Sequence, residues 1–218
     1  MGAAKRIAEA RVASERGVLG YGSNPEARFI QEHEILRSYV EALKTLGMKI
    51  VLTSGTFDLI HVGHARYMEK AKSYGDVLIV GVDSDEKVKK RKGPTRPIVP
   101  EEERVQMLAF LRSVDLITLK QPVDAKWNLI KLVQPDTLIV TAETYTKAEL
   151  KKLEKHCGKV VVLTPQATTS TSAQIRRMQL SWSANFVEPL SNVLKFSGLP
   201  EQARAAIQTI LSCTKGRT

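Results

Sequence analysis

Cysteine is almost missing from this chain. Only Cys157 and Cys213 occur in 218 residues, which excludes a disulfide framework and a cysteine-based zinc site. Long apolar runs are missing too, and none approaches the ~20 residues that a membrane-spanning helix needs. The first stretch, MGAAKRIAEARVASERG, mixes Arg with Glu and holds no apolar segment, so no secretory signal is expected there. These absences together point to a reducing cytoplasm. What the chain has in excess is positive charge, net +10, which suits nucleic acid, an anionic membrane surface or small phosphorylated ligands. One cluster, EKVKKRKGPTR, concentrates part of that charge, while stretches such as KAELKKLEKHCGK read as ordinary solvated helix faces. No fixed-period repeat is present.

Residues 1–47 read as a helical N-terminal extension. From Arg28 to Leu46 the apolar positions Leu36, Val40 and Leu43 recur at helical spacing. Ser23 or Asn24 is the expected cap, Pro25 falls inside the first turn, and Gly47 ends the helix. From Met48 the pattern changes. The short runs MKIVLTSG, DVLIVGV, VDLITLK, DTLIVTA and KVVVLTP alternate with helical segments, among them HARYMEKAKSYG, PEEERVQMLAFLRS and DAKWNLIKLVQ. Near-continuous Val, Ile and Leu runs are strands buried on both faces, and the alternation demands right-handed crossovers. The expectation is an α/β domain over residues 48–180, a doubly wound parallel sheet of five strands. Residues 181–218 read as a helical tail of two short helices broken at SGLP.

The chemistry concentrates in VLTSGTFDLIHVGHARYMEK, residues 51–70. An apolar strand stops at Gly55, and a helix begins after two histidines three residues apart. Such strand-to-helix crossings are anion sites, because free amides and the helix dipole meet there. Gly55 and Gly63 leave room for close backbone approach. His61 and His64 face the same way, and two imidazole donors at a helix start can stabilise charge growing on a phosphorus. Two other readings stand beside this one: a pair of surface histidines, or a zinc site, which would need further ligands although the remaining histidines, His33 and His156, lie far away in sequence. Further along, Ser170, Thr171 and Ser172 open a helix with Arg176 and Arg177 behind them. That is an oxyanion cradle or a plain capping start.

GTFDLIHVGH, DVLIVGVDSDEKVKKRKGPTRPIVPEEER and TTSTSAQIRR resemble the cytidylyltransferase-like nucleotidyltransferases over roughly residues 49–178. The middle block is most similar to the heptose-1-phosphate adenylyltransferase branch, beside glycerol-3-phosphate cytidylyltransferases. The resemblance implies that His61, His64 and Lys92 act on the triphosphate and transition state. It implies that Thr56 and Phe57 contact nucleotide through the backbone, that Arg104 assists with phosphates, and that Ser170, Thr171 and Ser172 hold the pyrophosphate end. The chain departs from the family pattern at TAETY: Tyr145 fits the aromatic position, but Thr144, beside Glu143, replaces the usual aspartate. Pro165 stands near the position of an expected arginine. Both departures favour ATP over CTP.

The expected reaction moves AMP, or CMP, from a nucleoside triphosphate onto a phosphorylated small molecule such as a sugar or alcohol phosphate. An ionised acceptor phosphate needs no general base, so positioning and charge stabilisation carry the catalysis. Mg²⁺ would bridge phosphate oxygens, with Asp58 the candidate protein ligand. A non-catalytic nucleotide sensor or nucleic-acid binder on the same fold is the second reading, though neither nucleic acid nor membrane is the expected partner. A class I aminoacyl-tRNA synthetase, which shares the HxGH element, ranks last. The terminal helices leave a homodimer open. All of this requires the paired imidazoles and the hydroxyl-rich helix start to converge on one triphosphate.

Overall fold

The computed structural model describes residues 25–142, 144–164, 171–196 and 198–215. The five apolar runs are its strands: β1 (Ile50–Gly55), β2 (Val77–Asp83), β3 (Leu116–Lys120), β4 (Thr137–Thr141) and β5 (Lys159–Leu163). Every pairing is parallel and the order is β3-β2-β1-β4-β5. This is the doubly wound α/β arrangement expected from the alternation. The helices of this unit are α1 (His33–Thr45), α2 (Val62–Lys72), α3 (Asp85–Lys92), α4 (Glu101–Ala109), α5 (Asn128–Val133) and α6 (Lys147–Leu153).

Side chains alternate across each strand, so the sheet feeds two cores. Val51, Leu78, Val80 and Ile117 pack with Met68, Ala71, Val105 and Leu108 on the face covered by α2 and α4. Ile50, Leu52, Ile79 and Leu138 pack with Leu36, Val40, Leu43, Ile130 and Val133 on the face covered by α1 and α5. Leu36 is wholly buried, and truncating such a residue to alanine costs about 2–5 kcal/mol. Helix α1 is thus a layer of the core.

After β3 the chain returns to the opposite side of β1, which creates a switch point between β1 and β4. Strand β1 pairs with β2 along its whole length, to Gly55↔Val82. Against β4 it pairs only at Val51↔Thr137 and Leu52↔Leu138. The carboxyl halves of β1 and β4 therefore run on without ladder pairing to each other, and the Thr53 hydroxyl bridges the start of that gap by donating to Ile139 O at 3.1 Å. A crevice at the carboxyl ends of a switch point is the ligand position of open α/β sheets.

One boundary differs from its expectation. The helix begins at His33, and Pro25 leads instead into a 3-10 turn, Glu26–Arg28. Phe29 then bridges to Ile117 beside β3, and Ile30 N donates to Ile117 O at 2.8 Å. The Arg28 guanidinium, buried, donates to the carbonyls of Ala109 and Val114 at 3.0 and 2.9 Å. These long-range bonds outweigh local helix propensity. Ser23 and Asn24 lie outside the described residues. Gly47 does end α1: it sits at φ +74°, and Met48 N reaches back to Leu43 O, a Schellman closure.

The chain divides into two compact units at residues 168 and 169. The second contains α7 (Thr171–Trp182), a π-helical stretch Ser183–Val187, α8 (Glu188–Val193) and α9 (Glu201–Lys215). Arg204 donates to the carbonyls of Leu194 and Phe196 at 2.8 and 3.1 Å, which pins the turn between α8 and α9. Among the described residues no helix is long and apolar enough to cross a membrane.

Candidate active site

The two histidines form the start of α2. His61 is the N-cap, in extended conformation, and its Nδ1 accepts from Gly63 N at 3.0 Å. His61 N in turn donates to His64 Nδ1, a longer contact of 3.4 Å. This is a capping box built from two imidazoles, a job usually done by Ser or Thr with Glu. It explains the three-residue spacing physically, since the side chain at N3, His64, is the one that reaches back to the N-cap amide, while the N-cap ring takes the N2 amide of Gly63. It also sets the tautomers: both Nδ1 atoms accept from backbone amides, so both protons sit on Nε2, on the far edges of the rings. The rings lie 4.1 Å apart between centroids. Burial, and then the neighbouring His61, pull His64 down from 6.5 to about 4. At neutral pH His64 is therefore an uncharged hydrogen-bond donor.

Between strand and helix, Phe57 adopts φ +49° and is buried. Its ring folds over Gly55, where an added Cβ would lie 3.0–3.3 Å from the ring carbons. Gly55 thus has a reason within the fold itself: the space a side chain would fill belongs to the Phe57 ring. Thr56 is also buried.

Asp58 links GTFD to the distant RPI segment. Its Oδ1 accepts from Ile98 N and Val99 N, both at 2.9 Å, and its Oδ2 pairs with Arg96 at 2.5 Å by charge, without an aligned hydrogen bond. Asp58 was the candidate Mg²⁺ ligand, and it does not fit. Both oxygens are engaged, and a guanidinium occupies the position where a cation would approach. Among the described residues no group of three His, Cys, Asp or Glu side chains could hold a metal.

Arg104 requires a second correction. Expected to reach phosphates, it is instead 0% exposed. Its guanidinium donates to Thr56 O at 2.5 Å, Asp83 O at 2.9 Å, Val99 O at 2.9 Å and Asp85 Oδ1 at 2.6 Å. A planar fork with five donors suits such a junction. Arg104 ties the ends of β1 and β2 to the loop before α4 and leaves no surface for a ligand.

Lys92, at the end of α3, makes no side-chain hydrogen bond among the described residues and is exposed. Burial of part of its stem, then Arg91 and Arg96, lower its pKa, which places it in a field of like charge. That field contains residues the sequence reading passed over. Arg91 Nη2 donates to Thr56 Oγ1 at 2.7 Å and to Asp83 Oδ2 at 2.9 Å. Lys120, at the end of β3, crosses to Asp83 Oδ1 and Ser54 Oγ, both at 3.3 Å. Burial alone would raise the Asp83 carboxyl, but Lys120 and Arg91 outweigh it and hold the group below the usual range. The available signal was the polar end of each strand, Asp83 and Lys120, in otherwise apolar runs.

On the β4 side, Tyr145 is half-buried against the second core layer. Its pKa is raised by burial and then by the charge of Asp83, so it lies within electrostatic reach of that carboxylate. Thr144 is exposed and bonds Thr141 through the hydroxyls at 2.7 Å. Glu143 and Ser170 lie outside the described residues. Thr171 begins α7, with Ser172 in its first turn, in the second unit. A cavity of about 490 Å³, lined by Phe29, Glu101, Val105 and Phe110 among others, shares no residue with this site.

Comparison with known proteins converges on one group. A curated relative from a Nitratiruptor species, named bifunctional protein HldE, is 44% identical over 115 residues, 53% of this chain and 25% of the relative. The protein of that name from Geobacter metallireducens is 37% identical over 150 residues, 68% of this chain and 30% of the relative. The matched regions thus span only a quarter to a third of these relatives. Among solved structures, a pantoate–β-alanine ligase from Francisella tularensis, complexed with β,γ-ATP and β-alanine, aligns at TM-score 0.52 and 16% identity, over 83% of this chain and 85% of that one. At that identity it speaks to the fold alone. The cytidylyltransferase-like family profile matches residues 52–198, from the strand that ends at Gly55 through the paired histidines into the second unit. This chain belongs to the cytidylyltransferase-like family.

Proposed function

We propose that this protein transfers a nucleotidyl group, AMP from ATP in preference to CMP from CTP, to a phosphorylated small molecule with release of pyrophosphate. The observation that carries this reading is the histidine capping box. Two imidazoles, each locked with its proton on Nε2, stand at a helix start beyond the central strand of a switch-point sheet. Donors fixed before the substrate arrives need no reorganisation when charge develops on the phosphoryl oxygens. An acceptor phosphate oxygen forms the new bond to the α-phosphorus, the bond from that phosphorus to the bridging oxygen breaks, and pyrophosphate leaves with the electron pair.

In this reading His61 and His64 donate to the triphosphate through Nε2. Lys92, whose ammonium bonds no group among the described residues, neutralises phosphate charge. The amides of Thr56 and Phe57 and the ring of Tyr145 contact the nucleotide, and the family resemblance assigns Glu143 and Thr144 to the same role. The family resemblance assigns the pyrophosphate end to Ser170, Thr171 and Ser172. Mg²⁺ would supply charge neutralisation at the triphosphate, and Asp58, committed to Arg96, Ile98 and Val99, would not hold it. Sugar phosphates are the favoured acceptors, because KGPTRPI and EEER resemble the heptose-phosphate branch and relatives named HldE are similar to half or more of this chain. The test supplies ATP or CTP, Mg²⁺ and a panel of sugar and alcohol phosphates and measures pyrophosphate. Turnover with at least one acceptor is expected, falling roughly 10²-fold or more in His64→Ala. No pyrophosphate with any acceptor, together with tight salt-sensitive binding of RNA or DNA, would refute it.

A further inference from the structure

The strand ends on the far side of β1 from the switch crevice carry more positive charge than the fold requires. Asp83, 1% exposed, is a buried carboxylate that one cation would compensate. It has two direct partners, Lys120 on Oδ1 and Arg91 on Oδ2. Lys87 stands beside them, bonded to Gln121 O at 3.1 Å, within electrostatic range of Lys120, Asp83, Asp124 and Arg91. Lys92 and Arg96 add to the same field, and Arg96 is offset by Asp58. Cations outnumber carboxylates here, and crowding them costs energy. Burial and then Lys120 lower the pKa of Lys87.

The position of Lys120 is built into the sheet. Its side chain is only 22% exposed and runs across β2 at Gly81, where an added Cβ would lie 3.0 Å from Lys120 Cδ. A side chain at position 81 would block the path that brings the ammonium to Ser54. Arg91 and Lys120 thus reach Thr56 and Ser54, the residues flanking Gly55. The cluster borders the strand end that leads into the histidine helix, on the side opposite β4.

We propose that Lys87, Arg91 and Lys120, organised around Asp83, form a second anion subsite that takes the phosphate of the acceptor. The proposal rests on the nucleotidyl-transfer reading and specifies where its second substrate binds. A phosphate monoester carries close to two negative charges at neutral pH, and an arginine fork beside two ammonium groups matches its oxygens. Asp83 holds the cations in place and is a positioning residue.

The test titrates inorganic phosphate by calorimetry into the full chain, first alone and then saturated with a non-hydrolysable ATP analogue and Mg²⁺. The wild type is expected to take phosphate with the analogue already bound. Lys87→Met and Lys120→Met are expected to weaken phosphate binding roughly 10-fold or more, while leaving analogue affinity within about twofold. Lys89→Met, on an exposed side chain of the same helix, should change neither. Circular dichroism checks folding, and if Lys120→Met unfolds because Asp83 loses a partner, Lys87→Met carries the test. Three results overturn the proposal: no phosphate binding once the analogue is in place, unchanged phosphate affinity in Lys87→Met, or equal loss of phosphate and analogue affinity. A wild type that binds no analogue, yet takes phosphate in a lysine-dependent way, sinks the nucleotide reading and leaves the anion subsite standing.

Discussion

Replacing Arg104 with methionine separates a clamp from a ligand contact. The guanidinium is fully buried and donates to three carbonyls and one carboxylate. Methionine fills much of the volume but leaves all four acceptors without their donor. An unsatisfied buried acceptor costs about 1–3 kcal/mol, and removing one partner of a buried ion pair costs about 3–5 kcal/mol. The Asp85 side chain is 28% exposed, so water recovers part of its share and can follow into the junction. The sum expected is about 3–5 kcal/mol, which in a unit of this size lowers Tm by roughly 10–15 °C. Urea unfolding followed by circular dichroism measures it, with Arg104→Lys alongside. Lysine recovers less than half of the loss, because one ammonium cannot span acceptors arranged for a planar fork. If Arg104→Met unfolded within about 1 kcal/mol of wild type yet lost ATP binding, the clamp reasoning would be refuted.

Other outcomes follow from the same geometry. His64 resists protonation in the fold, about 4 against 6.5 in the unfolded chain, so the unfolded state takes the proton first as pH falls. Its contribution to stability is complete above pH 6.5 and is lost between 6.5 and 4. An NMR titration should place the midpoint near 4, and His64→Gln should flatten that part of the urea-midpoint profile; a midpoint above 6 rejects the assignment. Asp58→Ala removes the acceptor of Ile98 N and Val99 N and the counter-ion of Arg96. Amide exchange at Ile98 and Val99 should accelerate roughly tenfold or more, while that of β2 stays slow; equal rates would show the loop held by other means. Gly81→Ala places a methyl 2.4 Å from Leu129 Cδ2, an overpacking cost of about 1–3 kcal/mol. A variant as stable as wild type in urea would contradict the packing.

What the sequence determined by itself was whatever is local or periodic. Runs such as DVLIVGV admit only strands buried on both faces, and their alternation with helices admits only parallel crossovers, so the sheet was legible before any coordinates. The HVGH helix start was legible for the same reason, since capping is a contract between residues three apart. Gly47 as the end of α1 belongs with them. Tertiary structure alone decided the rest. EEER reads as an exposed helix start, yet Arg104 is buried because three carbonyls from distant strand ends and a loop converge on it. Asp58 resembles a free carboxylate until Arg96, Ile98 and Val99 fold back onto it from about forty residues away. The approach of Pro25 to α1 turned extended because Phe29 found Ile117, and Lys120 became a site residue only because Gly81 let it cross the sheet. Local pattern reports what the backbone can hydrogen-bond nearby; the charges that meet across a sheet edge are chosen by topology, which brings together side chains that no short window of sequence contains.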